Sequence, residues 1–235
     1  MPVSVISSSQ ESGRLSRSQV NQLIDLDRYP IDQLESGAGR DLIEICHNNL
    51  ATQAIALLPG FIRPSAISGM AEEAQGLIDQ AHRYDQPRVA FYEHPNHHHR
   101  AHDGDDWSTL RSKRHPNRYC QILNYQIPNN SNLRAIYLWP KLTEFVRRVL
   151  DVNRLYPSVC PHLALTMKVA FEGDLDGWHY DPNDGVITLM LQPSESGGEF
   201  EYAPYIRNEQ EENYAGVKRL FDSPDTEARR IKPVS

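Results

Sequence analysis

The chain has few cysteines and no long hydrophobic segment. Its three cysteines, Cys46, Cys120 and Cys160, lie far apart with no CxxC spacing. An odd and sparse count argues against a disulfide framework and a structural zinc site, and it favours a reducing compartment. The longest nearly apolar run, Ala54–Ile62, is interrupted by Pro59 and Gly60, so it is too short for a bilayer, which needs about 20 residues. The first residues contain no apolar signal segment, and we expect a cytoplasmic protein.

The chain also lacks an excess of positive charge. It has 24 Lys and Arg against 31 Asp and Glu, which gives a net charge of −7. A protein that binds nucleic acid by neutralising phosphates normally has the opposite sign, so nucleic acid is not an expected partner, and neither is a membrane. The 235 residues suffice for one domain with a core. We predict a flexible, Ser-rich leader over residues 1–18 and one domain over 19–235, with an oligomeric state that the sequence leaves open.

The hydrophobic spacing predicts helices mainly in the first half and strands mainly in the second. Helical patterns cover Val20–Leu26, Asp41–Asn49, Ala66–His82, Leu133–Leu138, Leu142–Leu150 and Asn213–Phe221. Strand patterns cover Ala54–Leu58, Val89–Tyr92, Tyr119–Ile127, His162–Phe171, Val186–Leu191 and Glu199–Tyr202. We therefore predict an α+β fold with a mainly β core.

One segment has the spacing of a metal site. In the sequence GDLDGWHYDPNDGVITLMLQ, which begins at Gly173, His179 and Asp181 are two residues apart between two predicted strands. Residues with this spacing in an extended segment point to the same face, so an imidazole and a carboxylate can bind one metal ion. A further histidine would complete the 2-His-1-carboxylate set of non-haem Fe(II) oxygenases. The alternative is a surface histidine followed by an aspartate that forms a turn before Pro182.

The surroundings of this segment favour the metal site. A strand (LALTMKVAF), a Gly173-Asp174 turn, the WHYD segment, a second strand (VITLMLQ) and a GGEF turn follow in order. In this order the chain resembles the Fe(II)- and 2-oxoglutarate-dependent dioxygenases, specifically over about residues 163–204, and nearest to their hydroxylases and halogenases of free amino acids and small metabolites. The resemblance implies a double-stranded β-helix (jelly roll) with helices packed on it, its metal-binding half at about residues 160–205.

The resemblance also implies a reaction. Fe(II) and 2-oxoglutarate would be the cofactors, with His179 and Asp181 as metal ligands. The halogenases of this family have Gly or Ala in place of the carboxylate, so the presence of Asp181 implies hydroxylation of a small polar metabolite such as a free amino acid.

The third ligand of the family, a histidine followed by a basic residue, has no counterpart after Pro182. Three explanations stay open: the β-helix is incomplete at the C-terminal end, which we expect; the ligand comes from elsewhere; or the protein is a non-catalytic jelly-roll relative that keeps the HxD corner. The histidine-rich loop His94–His102 is one possible source of a ligand, although such a loop is typical of a solvated lid. A hydrolytic zinc site ranks last because HEXXH is absent.

Other candidate residues each have a structural alternative. The resemblance places Tyr119, Asn124 and Tyr125 on a strand that faces the cofactor pocket, and Lys168 could pair with a carboxylate of 2-oxoglutarate or of the substrate. Trp107 and Arg111, in the loop after the histidines, and Arg207 could contact substrate. Half-buried strands use aromatic residues for packing in any case, and lysines and arginines are most often solvated surface residues.

Overall fold

The computed structural model describes residues 16–91, 107–181, 185–206, 211 and 213–231, with the side chains of residues 107–109 left out. The predicted leader over residues 1–18 falls largely outside these ranges. Its last residues are helical, because Ser16 caps the first helix: the Ser16 side chain accepts from the backbone of Gln19, whose own side chain accepts from the backbone of Ser16. The histidine-rich loop His94–His102 lies outside the described residues.

Capping residues determine where the longer helices begin. Ser36 accepts a hydrogen bond from the backbone N–H of Gly39 and starts α2, and Pro64 occupies the first turn of α3, where its missing N–H costs nothing. The helices are α1 (Arg17–Leu23), α2 (Gly37–Gln53), α3 (Pro64–Leu77), α4 (Trp107–Ser112), α5 (Asn132–Tyr137), α6 (Pro140–Val149), α7 (Tyr214–Asp222) and α8 (Pro224–Glu227). Short 3-10 turns cover Ile78–Gln80 and Asn124–Gln126.

The strands form small antiparallel sheets. They are β1 (His82–Asp85), β2 (Arg88–Val89), β3 (Arg114–His115), β4 (Asn117–Ile122), β5 (Met167–Val169), β6 (Leu175–Asp176), β7 (Phe200–Tyr202) and β8 (Arg229–Ile231). In the largest sheet, β4 pairs with β1 along one edge, while β5 and β6 follow each other along its other edge. The pairs β2–β3 and β7–β8 form separate ribbons.

The two faces of the largest sheet have different environments, because successive residues of a strand point to opposite sides. Ile122 and Met167, a cross-strand pair, are buried in the main hydrophobic core with residues of α1, α2, α3, α5 and α6. The other face carries Tyr119, Lys168 and Asp176, whose register positions alternate with those of the core residues. The helices therefore pack on one face of the sheet, and the polar side chains of Lys168 and Asp176 lie on the other.

In the first half of the chain, one predicted element is wrong and another has the predicted type but different bounds. Ala54–Leu58 is not a strand: Ala54 ends α2 in the left-handed conformation, and the residues after it pair with no strand of the described chain. The helix predicted over Ala66–His82 begins at Pro64 and ends at Leu77. It is shorter at its C-terminal end because residues Ile78–Gln80 form a 3-10 turn and β1 begins at His82.

Three predicted strands are shorter than expected or not formed. The strand predicted over Tyr119–Ile127 ends at Ile122, because the Gln126 side chain accepts from the Leu123 N–H and closes a 3-10 turn. Of His162–Phe171 only Met167–Val169 is a strand, after a turn at residues 161–165. Val186–Leu191 forms no strand, and Val186, Ile187 and Met190 are at least half exposed, since no strand of the described chain pairs with them.

The described fold is mixed, with about 40% helix and 14% strand. The predicted combination of helices and strands is therefore present, but helices supply more of the core than the prediction of a mainly β core implied. Within the described ranges, no helix has the length and apolar character needed to cross a membrane.

Candidate metal and carboxylate site

A tight turn places β5 and β6 along the same strand. The Asp174 side chain accepts from the Phe171 N–H at 2.9 Å, and the Asp174 N–H donates to the Phe171 carbonyl at 2.9 Å. Gly173 within this turn has a φ of +79°, a conformation that glycine adopts without strain. Because the turn reverses no strand direction, Lys168 on β5 and Asp176 on β6 both pair along β4.

Two backbone contacts then fix the WHYD segment. Gly177 lies against His115 and Pro116, so closely that a Cβ at this position would be 2.5 Å from the Pro116 carbonyl oxygen. The Tyr180 N–H donates to the Ala90 carbonyl at 3.0 Å, and the Tyr180 ring packs on Phe91 with centroids 5.6 Å apart. The two residues beside Tyr180 are thereby held next to the β2–β3 ribbon.

His179 and Asp181 converge as their spacing predicts. The Nε2 atom of His179 is 3.4 Å from Oδ1 of Asp181, and Nδ1 of His179 is 2.7 Å from the Gly177 carbonyl oxygen. Two donors that each bind a metal at about 2.1 Å are about 3.0 Å apart in octahedral and about 3.4 Å apart in tetrahedral geometry. A carbonyl that accepts from Nδ1 selects the tautomer with a free Nε2 lone pair, as in many metal-binding histidines. The pair therefore has the geometry of two neighbouring ligands of one ion.

Each residue of this pair changes the pKa of the other. The Asp181 carboxylate raises the pKa of His179, with a smaller contribution from the Gly177 carbonyl, while burial opposes the shift. His179 lowers the pKa of Asp181, and the positive charges of Arg88 and Lys168 act in the same direction. Without a metal, these shifts favour a protonated His179 beside an ionised Asp181. A divalent ion must displace that proton, so metal binding is favoured as pH rises.

Charged residues surround the pair on the open face of the sheet. Asp176 contacts Lys168 directly, and one of its carboxylate oxygens is 3.8 Å from Nη1 of Arg88 and 4.0 Å from Nδ1 of His179. The Lys168 ammonium lies 4.3 Å from the centroid of the Tyr119 ring, which stacks on Tyr84. Burial raises the pKa of Tyr119 first, and the charge of Asp176 adds to it, so its phenol stays protonated and can donate a hydrogen bond.

Asn124 and Tyr125 do not join this cluster. They lie in the 3-10 turn at the far end of β4 from Asn117, the residue that pairs with Asp176. Asn124 bonds to Arg134 and to the Cys160 carbonyl, and the Tyr125 hydroxyl contacts His82 at 2.9 Å. These contacts indicate a structural role for Asn124, and the prediction that the two residues bind cofactor receives no support from their position.

The predicted substrate residues are only partly described. Arg111 lies half-buried on α4, next to Leu110, which packs with Phe91 in the smaller core cluster. Trp107 begins α4, but its side chain is outside the description, as is Arg207. Their contact with substrate stays a prediction.

Arg88 and Asp176 are site residues that the sequence analysis missed. Asp176 stands three residues before His179, within the same motif, so its proximity could have been suspected. Arg88 lies 91 residues upstream, and no sequence signal marks it: its position depends on the pairing of β2 with β3 and on the bond between Tyr180 and Ala90.

Two further findings concern the ligands of this site and its relatives among known proteins. Across the ranges described, no group of three or more His, Cys, Asp or Glu side chains is placed to hold a metal ion. Comparisons with protein-family models, curated proteins and solved structures found no match to this chain. Any assignment of function therefore depends on the residues themselves.

Proposed function

We propose that the chain is an Fe(II)- and 2-oxoglutarate-dependent oxygenase that hydroxylates a small polar metabolite such as a free amino acid. The double-stranded β-helix of that family belongs to the same proposal. The observation that carries it is the 3.4 Å approach of His179 Nε2 to Asp181 Oδ1, with Nδ1 of His179 held by a backbone carbonyl.

The accessibility of the two donors supports a metal site. The His179 side chain is 23% exposed and that of Asp181 is 53% exposed, so an ion can reach both atoms from the open face of the sheet. An imidazole and a carboxylate are also two of the three protein ligands that Fe(II) oxygenases use. The remaining positions of the metal would be left for another donor, for 2-oxoglutarate and for oxygen.

The neighbouring side chains suit an anionic cosubstrate. Lys168 and Tyr119 offer an ammonium and a phenol beside the pair, and both can donate to a carboxylate. When bound, the iron and 2-oxoglutarate supply the oxidation, in which one atom of O₂ enters a substrate C–H bond and 2-oxoglutarate becomes succinate and CO₂. The residues of this chain would hold the metal ion and 2-oxoglutarate in position next to the substrate.

Metal titration and succinate production test the proposal. We expect wild-type protein to bind Fe(II) or Co(II) and to form succinate from 2-oxoglutarate, and His179→Ala and Asp181→Ala to lose both with unchanged circular dichroism. The matched control is His47→Ala, because His47 is an exposed histidine on α2 whose Nε2 atom lies 2.9 Å from the Arg148 carbonyl oxygen. Unchanged succinate production in His179→Ala would overturn the assignment.

The same measurements distinguish a non-catalytic relative. This alternative is favoured by the observation that no third His, Cys, Asp or Glu joins His179 and Asp181 in the described ranges. Metal binding that depends on both residues, without any succinate at saturating 2-oxoglutarate, would favour a jelly-roll protein that keeps the corner but not the reaction.

A further inference from the structure

Arg88 has unused hydrogen-bonding capacity beside the candidate site. Its guanidinium carries five N–H donors, and within the described ranges it makes no hydrogen bond and a single ion-pair contact, the 3.8 Å approach to Asp176. The side chain is 33% exposed, so a solute can reach it. Arginine in this state is suited to bind a carboxylate through two parallel hydrogen bonds.

Lys168 approaches the same carboxylate from another strand. It extends from β5, whereas Arg88 extends from β2, and both reach Asp176 on β6. The Lys168 and Asp176 side chains are 45% and 33% exposed. Asp176 is therefore a carboxylate between two accessible cations, next to the His179–Asp181 pair.

We infer that Arg88 and Lys168 bind a carboxylate of a small dicarboxylate, and that Asp176 is an internal carboxylate with which this ligand competes. The inference rests on the proposed function in that it takes 2-oxoglutarate to be the dicarboxylate. The loose contact between Arg88 and Asp176 holds the guanidinium near the site without satisfying its donors. Asp176 thereby orients the two cations and at the same time lowers the affinity of the site for dicarboxylates.

The competition predicts opposite effects for two substitutions. Asp176→Asn removes the internal negative charge, so both cations are released for the ligand and affinity rises. Arg88→Gln removes the bidentate donor, so affinity falls, and Arg88→Lys should lie between wild type and Arg88→Gln because it keeps the charge but not the planar fork. A purely structural role for Asp176 would instead make Asp176→Asn weaken binding.

The experiment titrates glutarate into the metal-free full-length protein by calorimetry or NMR. Glutarate has two carboxylates and no 2-oxo group, so its binding does not need a metal ion. We expect Asp176→Asn to bind glutarate about three- to fivefold more tightly, the change that corresponds to one exposed ion pair, and Arg88→Gln to bind it at least as many times more weakly. Asp222→Asn is a matched control, because Asp222 pairs with Lys218 on α7, and Arg154→Gln is an exposed control arginine.

The outcomes separate this inference from the proposed function. Unchanged glutarate affinity in Arg88→Gln, or weaker binding by Asp176→Asn with an unchanged melting temperature, overturns the inference. If Asp176→Asn has a lowered melting temperature, the inference is tested by the arginine variants alone. Glutarate affinity should then fall from wild type to Arg88→Lys and further to Arg88→Gln, and any other order overturns the inference. Unchanged metal binding in His179→Ala would contradict only the proposed function, since the glutarate titration contains no metal.

Discussion

Gly177 lies against His115 so closely that a Cβ on the glycine would come within 2.6 Å of the Cβ of His115. The carbonyl of the same glycine is the partner of His179 Nδ1. Glycine at this position thus joins the packing of the β2–β3 ribbon to the orientation of the proposed metal ligand.

We therefore expect Gly177→Ala to destabilise the protein and to weaken metal binding. Extra atoms in a filled contact typically cost about 1–3 kcal/mol in the free energy of unfolding, and the shifted backbone would misplace His179. Denaturant unfolding and a Co(II) titration measure the two effects. Gly69→Ala is the control: it lies in α3 with open space around it, so alanine should stabilise the helix by about 0.5–1 kcal/mol. Equal stability of the two variants would contradict the prediction.

The ion pair between Arg83 and Asp174 predicts a pH-dependent stability. Two nitrogens of Arg83 donate to the two carboxylate oxygens at 2.7 and 2.6 Å, and the Asp174 side chain is only 3% exposed. These bonds lower the pKa of Asp174. A lowered pKa in the folded state stabilises the protein above the ordinary carboxyl pKa, and the contribution is lost as pH falls through the folded-state value.

Asp174→Asn should consequently be less stable than wild type at pH 7, with a difference that shrinks below the ordinary carboxyl range. Urea unfolding between pH 7 and pH 3 measures it. Glu195→Gln is the control, because Glu195 is exposed and has no ion pair within the described chain. A difference for Asp174→Asn that stays constant down to pH 3 would show that the ion pair is not its cause.

The burial of Ile122 on the core face of the sheet predicts that its truncation strongly lowers the free energy of unfolding. Ile122 is fully buried and pairs with Met167 on β5. Ile122→Ala should therefore cost about 2–5 kcal/mol in the free energy of unfolding, while Ile45→Ala, at a position on α2 that is 55% exposed, should change little. Thermal and denaturant unfolding test both, and a small effect for Ile122→Ala would contradict this arrangement of the core.

The carboxylate of Asp181 predicts the type of product. If the proposed function holds, product mass spectrometry in high chloride should detect an added oxygen and no chlorine, because the halogenases of the family that the sequence resembles have Gly or Ala at this position. A dominant chlorinated product from the unchanged sequence would show that Asp181 is not a ligand of the metal.

Local sequence was sufficient for some features. The i, i+2 spacing of His179 and Asp181 predicts their convergence, because alternation in an extended segment is a local property of the backbone. Helices α5, α6 and α7 were likewise predicted to within about two residues at each end, since their apolar spacing and start signals lie within each helix.

The strands and the surroundings of the pair required the tertiary structure. A strand such as Val186–Leu191 forms only where another backbone offers hydrogen bonds, and its apolar composition could not supply that partner. Arg88 is near His179 and Asp176 only because β2 pairs with β3 and Ala90 accepts a bond from Tyr180. The sequence by itself thus determined which two donors converge. Only the folded chain decided that Arg88 joins Lys168 and Asp176 beside them, because β2 is distant from the WHYD segment in sequence and non-local hydrogen bonds hold it there.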